Sequence, residues 1–477
     1  MMGGASAINI VIGIVKVKVL AVLLGPSGVG LLGLYQSIMS MASTLAGCGI
    51  GNSGVRQLAA SADDPCTLAI VRRTLWLSNL LLGLLGMVAL WSLRQPVSHW
   101  VFGDSAHVND VGWLGVGVFF NLIAASQTAL LQGLRRIGDL AWVNIISATL
   151  GAAVGILLVF YLGKDGVLWF LVSAPAVSIV VAGYFARRLP KPQTVHDLRK
   201  IHAQWQAMLK LGIPFMATGV LGFAMQLTAR SIILREHGLD AAGYFQAAWA
   251  VSMTYIGFVL SAMATDYYPR LTAVIHDHPK ARKMVNEQSE MALLLASPVL
   301  LGMITFAPWV IQLLYADNFS PAAEVLRWQV LGDILKVASW PIGFILLARA
   351  NGKIFFAIEQ IWNLAYLGVL FLGIREYGIV VAGVSFTFAY LIYYVVILTV
   401  AAGLIDFKIA RRQSIATLML LLAGALIIYL GGESALTAYL AGSALALSAG
   451  VYSLYRLDVL IDLRGWLKQK VGRPQAK

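Results

Sequence analysis

The segment IVIGIVKVKVLAVLLGPSGVGLLGLYQ, residues 10–36, decides the fold of the chain. It is apolar enough to be a membrane-spanning helix, it carries Lys16 and Lys18, and it leads into the turn Gly25-Pro26-Ser27-Gly28. A charged side chain near the centre of a bilayer costs at least ~2.5 kcal/mol on insertion scales. Because residues two apart point to nearly opposite faces of a helix, one neighbour cannot shelter both ammonium groups. Either a lysine extends along its stem to the outer headgroups, or it lines a water-filled cavity that accepts negative charge.

The composition places the whole chain in a membrane. Of its 477 residues, 59% are hydrophobic and 12% are charged, and the mean hydropathy is +0.79. These values are typical of a polytopic membrane protein. The first apolar segment lacks a basic start and an A-x-A exit, so we expect it to be retained as a helix. The two cysteines indicate neither a disulfide framework nor a metal site.

Hydropathy predicts an all-α membrane protein with fourteen spans of about 20 residues each. The predicted spans are 6–24, 34–54, 74–93, 112–133, 142–162, 166–186, 211–234, 243–265, 288–315, 328–348, 354–373, 377–404, 413–430 and 434–455. The predicted domains are an N-terminal lobe (1–186), a cytoplasmic linker (187–210), a C-terminal lobe (211–404), two additional spans (405–455) and a basic amphipathic cytoplasmic tail (456–477).

The distribution of lysine and arginine predicts the orientation of the chain. With a cytoplasmic N-terminus, 26 of the 35 basic residues fall in inside loops and the tail, five fall in outside loops and four lie within spans. Such an excess on one side sets the orientation of insertion. Topology therefore explains the net charge of +13 without nucleic-acid binding, and we expect both termini in the cytoplasm.

The two groups of six spans resemble each other. The first opens with a helix bearing central cations, followed by a glycine-rich turn and GLYQ (33–36). The second opens with span 211–234, which bears Arg230, followed by HGLDAAGYFQ (237–246). An even number of spans in each group predicts a parallel repeat about an axis along the membrane normal. Two such lobes with a site near the midplane are typical of secondary transporters.

The ionisable residues well inside the predicted spans are Lys16, Lys18, Arg230, Asp333, Lys336 and Glu359. Their charges sum to +2, which favours an anionic ligand. Asp333 and Lys336 are three residues apart and can meet on one helix face, either as a structural ion pair or in a functional role. Glu359 is protonated, paired across helices or exposed to water, and its ability to titrate makes it a candidate for proton coupling.

The predicted site is a cationic cavity lined by Lys16, Lys18, Arg230 and Lys336. Arg230 offers a planar fork of donors that suits phosphate oxygens, although it also lies close enough to the outer helix end to reach the interface. Arg56, near the inner end of the second span, either guards a cytoplasmic entrance or acts only as a topology residue.

Several functional classes are disfavoured by the sequence. It contains no G-x-x-x-x-G-K-[ST] phosphate-binding loop and no histidine and cysteine cluster with metal-ligand spacing. The longest outside loop, residues 94–111, is too short for a catalytic domain. We therefore predict no enzymatic activity, no metal and no cofactor.

Three stretches carry a resemblance to a known family: KVLAVLLGPSGVGLLGLYQ (18–36), LAGCGIGNSGVRQLA (45–59) and WQVLGDILKVASWPIGFILLARA (328–350). They are similar to the Wzx-type flippases of O-antigen and enterobacterial common antigen (lipid III), in the polysaccharide transporter branch of the MOP superfamily. Lys18, Asp333 and Lys336 fall on matching motif positions, whereas Arg230 and Glu359 are inferred from the residues alone. Such flippases typically end after the second group of six spans, and the two further spans here match the related lipid II flippases.

The resemblance implies that the protein moves an undecaprenyl-pyrophosphate-linked oligosaccharide across a bacterial inner membrane by alternating access. The implied partners are this substrate, membrane lipids, and the polymerase and chain-length proteins of polysaccharide synthesis. The membrane potential would drive export, with H⁺ or Na⁺ antiport as an optional addition.

Three alternatives remain open. A cation-coupled multidrug exporter of the same fold should carry acidic residues in its cavity, yet no Asp or Glu lies within the first six predicted spans. A lipid II flippase of cell-wall synthesis differs only in the sugar. A non-transporting scaffold for polysaccharide-assembly enzymes would not need cations inside the membrane.

Overall fold

The computed structural model describes residues 2–189, 197–349 and 351–461, which are almost entirely helical and include no strand. The first helices are α1 Met2–Gly47, α2 Ile50–Ala60, α3 Pro65–Ser92, α4 Arg94–Phe102, α5 Val108–Gly133, α6 Ile137–Leu162 and α7 Gly166–Arg187. Those that follow are α8 Leu198–Val274, α9 His278–Thr305, α10 Ala307–Leu314, α11 Ala322–Ala348, α12 Gly352–Tyr377, α13 Val381–Ile405, α14 Arg411–Glu433 and α15 Ala435–Ile461. Most of the predicted basic tail, from residue 462, and residues 190–196 of the predicted linker lie outside the described residues.

The helices confirm the predicted class of an all-α membrane protein with about fourteen spans. The described residues contain ten stretches that are long and apolar enough to cross a membrane. Four of these ten stretches are 40, 51, 59 and 54 residues long, and each of the four covers two predicted spans. Counting each of the four as two spans gives fourteen spans. Most helices extend past the predicted spans because hydropathy detects only the part of a helix that lies in hydrocarbon.

Two long helices each contain one turn with non-helical backbone. The turn lies at Gly25 in α1 (φ 65°, ψ −173°) and at Gly238 in α8 (φ 81°, ψ −179°). Residues with a side chain rarely adopt such a φ, and Pro26 suits the first position of the next helical segment because that position needs no amide donor. Gly30 and Gly243 each follow five residues after the turn. The two repeats can therefore be aligned on these turns. This alignment differs by three residues from the one that matches GLYQ with GYFQ.

The described chain divides into two compact units. Unit 1 comprises the chain up to Gln246 together with Leu313–Phe319, and unit 2 comprises Ala247–Gln312 and the chain from Ser320 onward. The boundary of the compact units thus lies within α8, whereas the sequence repeat places the lobe boundary in the linker 187–210. The lobe boundaries that the repeat defines stay a prediction.

In unit 1, α8 packs against α1 and α2 through glycines. A Cβ atom on Gly49 would overlap the carbonyl of Gly212, and one on Gly212 would lie 2.8 Å from the carbonyl carbon of Gly49. At the other end, a Cβ on Gly30 would lie 2.8 Å from the amide nitrogen of Gly243. Gly30 lies against the backbone carbonyl four residues before Gly243, and Gly243 lies against the backbone carbonyl four residues before Gly30. A twofold relation produces such a reciprocal contact. Close approach through glycine stabilises helix pairs in membranes by van der Waals contact.

Two clusters of buried apolar side chains hold α8 in unit 1 along its length. Leu227 of α8 belongs to a cluster with Leu34 and Leu114. Met208 of α8 belongs to a second cluster with Ile50 and Leu75. Because the two clusters together include residues of helices α1 to α5, the first segment of α8 shares its core with the N-terminal part of the chain.

Hydropathy does not predict the short helix α4. The C-terminal end of α4 accepts hydrogen bonds from side chains of α8. Arg235 Nη2 donates to the carbonyls of His99 and Trp100 at 2.7 and 2.5 Å. Ser231 Oγ donates to the carbonyl of Val101 at 2.7 Å. The last carbonyls of a helix lack partners within it, and a cation there interacts favourably with the helix dipole.

The central helix of unit 2 is α11. Most of its side chains are buried, and it packs against α9 and α13. A Cβ on Gly332 would lie 2.9 Å from Thr387 Cα, and one on Gly383 would lie 2.8 Å from Trp328 Cβ. Thr387 Oγ1 also donates to the carbonyl of Trp328 at 2.5 Å. Trp328 and Gly332 of the third sequence motif therefore bring α11 and α13 together.

We expect Gly243→Ala and Gly212→Ala to lower the stability of the protein, because each added methyl group meets backbone that cannot rotate away. Overpacking of this kind costs ~1–3 kcal/mol. Gly222→Ala, in the same helix, is the matched control because a Cβ there has no other atom within 4 Å. Thermal unfolding of the three purified variants in one detergent measures the difference. Equal melting temperatures for all three would contradict the close contact.

Candidate functional site

Arg230 of α8 is held inside unit 1, with 5% of its surface exposed. Its Nη1 donates to Ser37 Oγ and, at 3.3 Å, to Gln226 Oε1, and its Nη2 donates to Gln246 Oε1 at 2.6 Å. These three acceptors are neutral, so the bonds orient the guanidinium and leave its positive charge in place. The side chain is thus buried within unit 1, and its distance from the outer membrane interface stays a prediction.

Gly238, in the turn of α8, and Gly33, in α1, position these acceptors. Gln226 and Gln246 lie on opposite sides of the turn at Gly238, so the turn brings both to one arginine. A Cβ on Gly33 would lie 2.7 Å from Gln246 Oε1, which means that only glycine leaves room for this amide. Ser37 Oγ donates to the carbonyl of Gly33 at 2.8 Å, and this bond orients the hydroxyl oxygen toward the arginine.

The predicted site residues Lys16 and Lys18 lie on the first segment of α1 and are half-buried. Lys16 Nζ is 5.8 Å from the centre of the Phe170 ring, within the range of a cation–π interaction. Both interpretations of these lysines, extension to headgroups and contact with a water-filled cavity, stay predictions. Arg56 on α2 is exposed, which fits an entrance role and a topology role equally.

The charged residues of unit 2 lie on α11 and α12. Asp333 is fully buried, and its Oδ2 accepts from Ser252 Oγ at 2.5 Å. Lys336 Nζ donates to Met253 Sδ at 3.2 Å and lies close enough to Asp333 and Glu359 for their charges to interact. Within the described part of unit 2, no ion pair shorter than 4 Å joins Asp333 and Lys336. Their interaction is therefore electrostatic attraction across a gap.

Glu359 and Lys336 share an aromatic environment contributed by α13. Tyr393 Oη donates to Glu359 Oε1 at 3.2 Å. Lys336 Nζ lies 5.8 Å from the centre of the Phe386 ring and 5.7 Å from that of Tyr390. This geometry corresponds to pairing across helices, one of the three interpretations of Glu359. The structure thus brings three of the predicted ionisable residues into one site in unit 2.

Sequence reasoning misses a polar cluster in unit 1 formed by Tyr35, His107 and Asp110. Tyr35 Oη donates to Asp110 Oδ2 at 2.5 Å and lies 2.9 Å from His107 Nδ1. The predicted span from residue 112 leaves Asp110 in a loop, whereas α5 begins at Val108. No local pattern pairs it with a tyrosine 75 residues earlier. The N-terminal half therefore does contain a carboxylate at a helix start, which weakens the composition argument against a cation-coupled exporter.

Arg327 is a second correction to the predicted spans. It falls in a predicted outside loop, but α11 begins at Ala322 and the side chain is buried, with 5% exposed. Its Nη1 donates to Glu324 Oε1 at 2.6 Å, and its Nε donates to the carbonyl of Ile304 at 3.2 Å. This arginine stabilises the start of α11 and lies within the helix, not in an outside loop.

The fold defines a class of protein, because it is shared by solved transporters of the MOP superfamily. The lipid II flippase MurJ in an inward closed conformation matches with a TM-score of 0.72 at 15% identity, over 96% of this chain and 99% of that chain. An inward-facing multidrug resistance transporter of the MATE family matches with a TM-score of 0.69 at 15% identity, over 83% of this chain and 94% of that chain. At these identities the likeness shows the fold alone.

The sequence comparisons identify the family within that class. The family model described as polysaccharide biosynthesis protein matches residues 19–324. The lipid III flippase of Escherichia coli (strain K12) is 25% identical over 373 residues, which is 74% of this chain and 85% of that relative. The chain belongs to the polysaccharide biosynthesis protein family, and the resemblance to Wzx-type members of the MOP superfamily is confirmed.

We expect Lys336→Met and Asp333→Asn each to destabilise the protein, because each leaves a buried polar or charged partner without its counterpart. Breaking a buried charge pair costs ~3–5 kcal/mol. The double variant should lose less than the sum of the two, by a coupling energy of ~1–3 kcal/mol. The free energies of unfolding of the two single variants and the double variant, measured in detergent, complete this double-mutant cycle. Lys353→Met, at an exposed position, is the control. Strictly additive losses would contradict the electrostatic interaction across the gap.

Proposed function

We propose that the protein is a flippase for an undecaprenyl-pyrophosphate-linked oligosaccharide, an O-antigen or related repeat unit, in the bacterial inner membrane. Membership of the polysaccharide biosynthesis family and the 25% identity to a lipid III flippase support this proposal. The observation that carries it is Arg230, a guanidinium buried in a membrane protein and oriented by neutral acceptors. Polymerase and chain-length proteins would receive the flipped unit on the outer face.

Arg230 matches the chemistry of the head group. A pyrophosphate that links a lipid to a sugar carries two negative charges, which cannot cross hydrocarbon unaided, whereas the polyprenyl tail can stay in the lipid. A guanidinium binds phosphate oxygens through parallel hydrogen bonds. A phosphate oxygen that replaces Gln226 or Gln246 at the arginine exchanges a neutral acceptor for a charged one, which strengthens the bond. Lys16 and Lys18, on the same unit, add positive charge.

The membrane potential supplies a driving force for this transport. Because the inside of the cell is negative, moving a negative charge outward is favourable by ~2.3 kcal/mol per charge per 100 mV. Two charges therefore suffice for export without another energy source. Antiport of H⁺ or Na⁺ is an addition to this scheme, and Asp333 and Glu359 beside Lys336 are the carboxylates that would carry it.

Multidrug export and lipid II flipping are the alternatives that share the fold. The structural likeness does not choose between them, because both MATE and MurJ transporters have it. A buried guanidinium repels cationic drugs, and the sequence relationship favours a polysaccharide precursor. A drug-resistance assay in a sensitised strain tests the first alternative, and arrest of cell-wall synthesis on depletion tests the second.

We expect Arg230→Gln to slow the flipping of a labelled lipid-linked oligosaccharide in proteoliposomes. A charge-assisted hydrogen bond is worth ~1.5–3 kcal/mol, so the rate should fall by about tenfold to a hundredfold. Arg230→Lys keeps the charge but loses the planar fork, and its rate should lie between those of wild type and Arg230→Gln.

Arg270→Gln is the matched control for these variants. Arg270 lies on the same helix, is exposed, and pairs with Asp266 Oδ2 at 2.8 Å, so the control removes the same charge at the surface. Its flipping rate should equal that of wild type when melting temperatures and reconstituted amounts are matched. A wild-type rate for folded Arg230→Gln would remove Arg230 from the proposed mechanism.

We also propose that the inside loops face the cytoplasm, and labelling of cysteines tests this orientation. Cys66, at the start of α3, is exposed on the predicted inner side, and Asp104 is exposed on the predicted outer side. In a Cys48→Ser background, an impermeant maleimide should reach Cys66 only in permeabilised cells. With Cys66 also replaced, Asp104→Cys should react in intact cells. The reverse pattern would invert the proposed topology.

A further inference from the structure

A groove of about 530 Å³ lies in unit 1 between α1, α3, α4 and α8. Its described lining consists of hydrophobic residues and Gly86 and contains no charged side chain. The transport mechanism described above assigns no role to this groove. We propose that it binds the polyprenyl chain of the transported lipid, and this assignment rests on the proposed function, which gives the substrate such a chain.

The groove lies where α1 and α3 approach each other through small residues. A Cβ atom on Gly86 of α3 would lie 2.6 Å from Ala46 Cβ of α1, so glycine allows the two helices to come close. The alanines at positions 42 and 89 also line the groove. Larger side chains stand beside them, since Leu45 is 43% exposed and Leu85 is 64% exposed. A base of small residues between exposed leucines suits one slender chain.

The shape of the groove selects its occupant, because hydrophobicity cannot. Membrane lipids are as apolar as the lining, so binding depends on van der Waals contact, which is lost when a chain fits loosely. A polyprenyl chain has rigid double bonds and regular methyl branches, so ordering it costs less entropy than ordering a saturated acyl chain. A phospholipid would also place its headgroup at the predicted outer end, where Val97 and Trp100 of α4 offer a phosphate no charged partner.

The groove continues from the site at Arg230. Ile38 of the lining follows Ser37, whose hydroxyl accepts a hydrogen bond from Arg230 Nη1. Leu227 of the lining lies three residues before Arg230, and residues at this spacing share a helix face. From Ile38 to Cys48 the lining follows α1 for ten residues, or ~15 Å, from the predicted outer side past the middle of the span. A lipid whose pyrophosphate lies at Arg230 can therefore extend its chain along the groove, in the orientation of a lipid in the outer leaflet.

Protection of Cys48 from a maleimide tests the proposal, because this cysteine lines the inner end of the groove. The chain has two cysteines, so Cys66→Ser leaves Cys48 as the single target. We expect undecaprenyl pyrophosphate, added to the full-length protein in detergent, to slow the reaction of Cys48 with N-ethylmaleimide. Mass action predicts a reduction of about tenfold when the lipid is present at about ten times its dissociation constant. Inorganic pyrophosphate, which has no chain, and phosphatidylglycerol, which has acyl chains, should protect much less.

The chain offers a matched control for each part of this experiment. Cys66 is exposed at the start of α3, and in a Cys48→Ser background its reaction rate should not respond to the lipid. Ala89→Phe places a ring in the groove on the predicted outer side, away from Cys48, and should abolish most of the protection. Ala153→Phe adds the same ring at an exposed position of α6 outside the groove and should leave the protection unchanged. Equal melting temperatures confirm that the variants are folded.

Three results would each overturn the groove as a polyprenyl site. They are an unchanged Cys48 rate with undecaprenyl pyrophosphate, equal protection by phosphatidylglycerol, and full protection in folded Ala89→Phe. The proposed function is tested separately by flipping in proteoliposomes. Protection of Cys48 without flipping would overturn transport and keep the binding site, whereas flipping without protection would overturn only the groove.

Discussion

A guanidinium buried in a membrane protein must receive its hydrogen-bond acceptors from neighbouring helices, because the surrounding hydrocarbon offers none. In unit 1 this requirement is met for Arg230 by α1 and by both segments of α8. The arrangement depends on glycine at two positions. Gly238 turns α8 so that Gln246 returns to the arginine, and Gly33 leaves space for the amide of Gln246. Gly33 of the first motif and Gly238 of α8 are therefore the structural condition for keeping this arginine buried with its acceptors.

The two units treat a buried cation in different ways. Arg230 donates hydrogen bonds to the neutral side chains of Ser37, Gln226 and Gln246. Lys336 lies near Asp333 and Glu359, so the protein itself compensates its charge. A compensated amine binds an anion weakly, but a site with two carboxylates can exchange a proton or bind a cation. The two units thus present unlike chemistry, with an arginine among amide and hydroxyl acceptors in unit 1 and a lysine near two carboxylates in unit 2.

The sequence predicts the helices well and the contacts between them poorly. Hydropathy predicts about the right number of spans because each must fill the hydrocarbon layer with apolar residues. It misses Asp110 because the helix extends past the apolar segment, and it cannot pair Asp110 with Tyr35 because that contact joins distant parts of the chain. The type and burial of a residue can be estimated from its neighbours in sequence. The acceptors of Arg230 cannot, since they depend on how closely the glycine backbones approach.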